Sequence, residues 1–128
     1  MAVINNAMLK KFNLPGLEHQ TLAARELGVN GMEVWMQTIA PGAATPAHRH
    51  ACEEVIVVLR GSGRVTIEGE ETRFSANSTI IVPPDATYQL VNSGAEEMFL
   101  IGALGATPVR ATTAEGEAIP LPWQELQT

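Results

Sequence analysis

Apolar residues along this chain come in short, separated runs, and within most of the runs they alternate with polar ones. Gly, Pro and Asn cut the runs at close intervals, and Val, Ile and Thr fill the stretches between. Period-two alternation bounded by turn residues is what half-buried strands require, so the pattern predicts a β-sandwich or barrel. Strands are expected at Leu17–Ala23, Met32–Ile39, Glu54–Leu59, Arg64–Glu68, Glu71–Phe74, Thr79–Val82, Tyr88–Val91 and Met98–Ala103, with a short helix over Leu22–Leu27 as the competing assignment for that piece. Gly61 with Gly63 is expected to turn one hairpin, and Gly69 with Glu70 the next. Pro83, Pro84 and Asp85 predict a corner that a strand would not tolerate, and Ser93–Gly94 predicts another turn. The tail after Ala106 is expected to run extended on the outside, docked by Trp123.

In Glu54–Leu59 both faces are apolar: Val55, Val57 and Leu59 share one side, Ile56 and Val58 the other. A barrel wall needs apolar residues only inside, so something must cover the second face. The opposing sheet and tail, or a second subunit, would do so. A homodimer is the expectation, since two-fold pairs are the commonest oligomers.

Composition narrows the class. With 128 residues and 45% hydrophobic content, one globular domain is expected over 1–128, its barrel core at about 32–104. The net charge is −6 and the Lys and Arg residues are scattered, which argues against nucleic acid or an anionic membrane as partner. The longest apolar runs are far too short for a membrane span. Lys10 and Lys11 follow the first apolar residues, the reverse of a secretory leader, and the sole cysteine, Cys52, cannot form an intrachain disulfide. A cytoplasmic location is the expectation.

The chemistry gathers in Thr45–Glu54. His48 and His50 are two apart, so on extended backbone both imidazoles leave the same face. Glu54 keeps that parity, as does Cys52, whereas Arg49 and Glu53 point away. Two neutral imidazoles and a carboxylate bind zinc in hydrolytic sites and non-haem iron in facial triads, with coordination positions left open. An open position is what a Lewis acid or a substrate anchor needs.

These residues sit in a frame: Gly42, five residues, His48, one, His50, three, Glu54, six, Gly61. The frame resembles the first motif of the cupins, and Asn77–Asn92 resembles the second, with Pro83 and Asn92 at its proline and final asparagine. Within the cupins, Thr45-Pro46, His48-Arg49-His50 and Cys52-Glu53-Glu54-Val55 are similar to the auxin-binding box of the plant auxin-binding proteins. Val58-Leu59, Gly61, Gly63, Phe74, Asn77-Ser78-Thr79, Val82-Pro83, Gln89 and Asn92-Ser93 continue the likeness. The resemblance implies an all-β, single-domain cupin jelly-roll barrel with His48, His50 and Glu54 as ligands of a divalent transition metal (Zn, Fe, Mn or Ni). It also implies a fourth ligand, a histidine, where this chain has Tyr88. Three roles are open to Tyr88: a phenolate ligand, a catalytic acid–base or orienting group beside the metal, or an aromatic plug. Two of the motif's glycines are replaced by Asn77 and Asp85, residues that tolerate turn conformations.

Two functions follow as expectations. One is a metal-dependent enzyme on a small organic acid or carbonyl compound, with dioxygenase, isomerase and lyase or decarboxylase chemistry all found among cupins. The other is a non-catalytic binder of a small carboxylate, held by the metal and by Ile56, Val58 and Leu90 lining the pocket. Cys52 reads as a small buried hydrophobe, His19 as a surface histidine, and Trp35, Met36 and Phe99 as core or interface.

Overall fold

The computed structural model describes residues 3–127. Its strands are β1 (Lys11–Leu14), β2 (Leu17–Ala23), β3 (Glu33–Ile39), β4 (Glu54–Arg60), β5 (Gly63–Ile67), β6 (Glu70–Phe74), β7 (Ser78–Val82), β8 (Tyr88–Asn92), β9 (Met98–Leu104), β10 (Ala111–Thr112) and β11 (Ala118–Ile119). Helical structure is confined to short 3-10 turns, one of them at Arg25–Leu27, where the alternative helix was expected. The expected strands all form, most of them a residue longer at one end. β1 and the short β10–β11 hairpin were not foreseen.

Every pairing is antiparallel. One six-stranded sheet runs β1-β2-β3-β9-β4-β7, and a three-stranded sheet runs β6-β5-β8. Residues 44–48 lie beside β8 through bridges from Ala44 to Val91 and from His48 to Tyr88, which widens the smaller sheet. The two sheets face each other across Ile39, Ile56, Val58, Val65, Ile80, Val82, Leu90, Met98 and Leu100. These come from alternate positions of their strands, so the periodicity that predicts the strands also chooses the core.

Two turns differ from expectation. Gly61 and Gly63 do not close a hairpin, because β4 and β5 lie in different sheets. The chain bulges between Val58 and Arg60 in its pairing with β9, then crosses over through Gly61 at φ 95°. A Cβ on Gly61 would stand 2.9 Å from Met98 Cα, and one on Gly63 would collide with the Val91 carbonyl. Glycine serves close approach here rather than a tight reversal. The β5–β6 turn is Glu68-Gly69, not Gly69-Glu70: both residues have positive φ, and Ile67 pairs with Glu70 to close it. Asn77 and Asp85 do adopt the left-handed region, at φ 67° and 64°.

The outward face of the larger sheet is open. Val55, Val57 and Leu59 are partly exposed and Ile81, paired with Val55, is 67% exposed. The tail does not cover it as far as the described residues extend. Instead the tail returns across the barrel mouth, with β10 bridging Arg49 and Trp123 stacked on His19 at 3.5 Å between ring centroids. That corrects the expectation of a tail on the outside.

Candidate functional site

Beneath the tail lies a cavity of about 110 Å³. Its apolar walls include Trp35, Ile56, Leu90 and Leu100, and residues 119–123 close one side. Its polar end is formed by His48, His50 and Glu54, which spacing brings to one face, and by Tyr88, which the motif resemblance marks. Val58 is the exception among the expected pocket residues. It shares the face of Ile56 but is completely buried one step deeper, in the packing between the sheets.

Backbone bonds fix each polar side chain. His48 exchanges two with Tyr88, N–H to O at 3.0 and 2.8 Å. The His50 carbonyl accepts from the Asp85 N–H at 2.7 Å, which ties the Pro83–Asp85 corner to the site. Glu54 opens β4 with its side chain inward. Both imidazoles are paired at Nδ1 with a main-chain carbonyl, His48 with Pro46 at 2.7 Å and His50 with Arg110 at 2.8 Å. A carbonyl can only accept, so the proton sits on Nδ1 and the Nε2 lone pair is free. His50 Nε2 is buried with no partner, 3.7 Å from Glu54 Oε1.

Burial sets the charge states. It lowers the His48 pKa to about 4 and lowers His50 as well, so both rings are neutral at pH 7. It raises Glu54 to about 7, against the opposing effect of the Tyr88 hydroxyl, which donates to Glu54 Oε1 at 2.5 Å. Burial and the neighbouring carboxylate together hold the Tyr88 phenol well above its ordinary range. Burial also raises Cys52, which is half-buried against Trp35, Leu104 and Val109, as expected of a packing residue.

Two lone pairs held by the right tautomer, one of them orphaned, and a carboxylate that a cation would ionise form a donor set that fits a divalent transition metal. Among the described residues, no three His, Cys, Asp or Glu side chains are already gathered at metal-holding spacing.

Several contributors were not legible from spacing. His19, read as a surface residue, is fully buried: its Nδ1 accepts from Gln37 and its Nε2 donates to Thr21. Burial lowers its pKa to about 3. Glu33 is fully buried too, and it accepts from Trp35, Thr107, Val109 and Gln124. It thereby joins the Trp35 wall to the tail. Its signal was its parity with Trp35, which puts a carboxylate on the inward face. Gly102, in the middle of an apolar strand, leaves room for the Glu54 carboxylate: a Cβ there would stand 3.0 Å from Oε2. A glycine inside a strand is the recognisable sign of such an approach.

The chain matches the family model described as "Auxin binding protein" over residues 2–122. It is 37% identical to auxin-binding protein 1 of Arabidopsis thaliana over 119 residues, 85% of this chain and 60% of that protein. The chain thus spans less than two thirds of this relative's length. A shorter stretch of 70 residues is 33% identical to gentisate 1,2 dioxygenase 1 of Aquipseudomonas alcaligenes, covering 54% of this chain and 20% of that one. Among solved structures, an RmlC-like cupin from Shewanella frigidimarina superposes with a TM-score of 0.73 at 18% identity, over 84% of this chain and 93% of that one. The all-β architecture is therefore a cupin fold.

Proposed function

The chain belongs to the auxin-binding protein family, and from that premise we propose that it binds a small carboxylic acid with an apolar body inside the barrel. The observation that carries the reading is the orphaned Nε2 of His50 at the polar end of an otherwise apolar cavity. A divalent transition metal would be held by His48, His50 and Glu54. When bound, it supplies a Lewis acid that takes a carboxylate oxygen. The chain's own residues do the rest. Trp35, Ile56, Leu90 and Leu100 desolvate the ligand's body, and the tail wall excludes water. A cavity near 110 Å³ limits that body to about one ring at most, since an engineered cavity of ~150 Å³ takes benzene.

The test is calorimetry with phenylacetate and its amide, on protein purified without a metal-affinity tag and assayed for metal. Binding of the acid to metal-loaded protein, with no binding of the amide, supports the reading. Equal binding of both, or binding indifferent to metal removal, defeats it.

A catalytic use of the same centre is favoured by one observation, the stretch similar to gentisate 1,2 dioxygenase 1. Oxygen consumption with gentisate on iron-loaded protein checks it. The same proposal includes a homodimer through the outward faces of β4 and β7, supported by the exposed Val55, Val57, Leu59 and Ile81 on adjacent strands. Sedimentation of Ile81→Asp against the unaltered chain tests it: a dimer should become a monomer.

A further inference from the structure

Tyr88 stands where the resemblance to the cupin motif implies a fourth, histidine ligand. Its backbone cannot shift freely, because its N–H and its carbonyl are both bonded to His48 and it pairs with Ile67 on the other side. Its ring lies 4.4 Å from the His48 ring and is buried. A phenol is longer than an imidazole, and from this fixed point its oxygen reaches across to β4 and donates to Glu54 Oε1. The other carboxylate oxygen, Oε2, faces Gly102 on β9, where a Cβ would stand only 3.0 Å from it. The hydroxyl therefore holds one oxygen of Glu54, while the absence of a side chain at Gly102 leaves room for the other. Oε1 is also the oxygen that faces His50 Nε2. A carboxylate oxygen has two lone-pair directions, so Oε1 can accept the phenol proton on one and meet a cation on the other.

We infer that Tyr88 is a positioning residue that fixes Glu54 from outside the metal, so that His48, His50 and Glu54 are the only protein ligands. The inference rests on the proposed metal reading and deepens it. Two histidines and one carboxylate leave three positions of a six-coordinate centre free, where a fourth protein ligand would leave two. A ligand can then be held through two oxygens with one position still left for water.

The experiment uses the whole chain and spectroscopy rather than turnover. Protein loaded with Fe³⁺ should show no tyrosinate-to-iron charge-transfer band in the visible. Tyr88→Phe should still bind one equivalent of Zn²⁺, with affinity weakened roughly 10–100-fold, the usual cost of losing a group that orients a ligand. Tyr88→His should add a ligand, tightening Zn²⁺ and changing the visible spectrum of the Co²⁺-loaded protein. A charge-transfer band that disappears in Tyr88→Phe overturns the inference while leaving the metal reading intact. Failure of the unaltered chain to bind Zn²⁺, Co²⁺ or Fe³⁺ overturns the metal reading and this inference with it. The band is read on the unaltered chain, so the assignment is decided even where a variant does not fold.

Discussion

Glu33 and Glu54 are two carboxylates buried in the same small barrel, 0% and 5% exposed, and they are treated in opposite ways. Glu33 accepts from an indole, a hydroxyl, a backbone amide and a carboxamide, drawn from β3, the segment after β9 and the tail. Glu54 has one donor, the Tyr88 hydroxyl, and an unpartnered imidazole nitrogen beside it. A buried carboxyl group whose hydrogen bonds are all met is a structural joint, whereas one left short of partners is open to another. The first holds the wall and tail of the cavity together, and the second lies at its polar end.

The contrast breaks most visibly on removing each carboxylate. Glu33→Ala leaves buried donors unpaired on three segments and should cost about 3–5 kcal/mol in urea unfolding. Glu54→Ala should cost clearly less in metal-free protein, and equal losses would erase the distinction.

Next in size is a pH effect. In metal-free protein burial raises Glu54 from its ordinary 4.5 to about 7 when folded, so the folded chain keeps its proton longer. Stability from this group is therefore lost as pH rises from 4.5 to 7, by about 3 kcal/mol in total. Glu54→Gln should remove that slope, and its stability relative to the unaltered chain should climb across the window and flatten above 7. His19 and His48 act in the opposite sense. Their depressed pKa values cost stability as pH falls below 6.5, and this contribution, common to both proteins, drops out of the difference.

Gly102→Ala pushes a methyl toward Glu54 Oε2 and should cost about 1–3 kcal/mol, together with weaker Zn²⁺ binding. The smallest change, Gln124→Ala, removes one donor from Glu33 and should cost about 1 kcal/mol in thermal unfolding. It should leave the pH profile of Glu54 untouched.

How much of this was legible in advance varies with the distance over which each feature is decided. The strands, the inward parity of His48, His50 and Glu54, and the left-handed Asn77 and Asp85 are properties of neighbouring residues, and the chain alone carried them. Where two strands meet depends on the whole topology, so the Gly61–Gly63 crossover passed for a hairpin. Val58 had the right parity for the pocket but the wrong depth, and parity says nothing about depth.

The sequence by itself determined the fold class and three inward-facing donor residues, because alternation of side chains along a strand is local geometry. Only the tertiary structure decided what surrounds them. The bond from Gln124 to Glu33 spans 91 residues and that from Tyr88 to Glu54 spans 34. Nothing in a residue's neighbourhood states which distant partner will satisfy it once buried. That choice is made by packing, when the tail closes over the barrel and every interior donor must find an acceptor or stay open for a ligand.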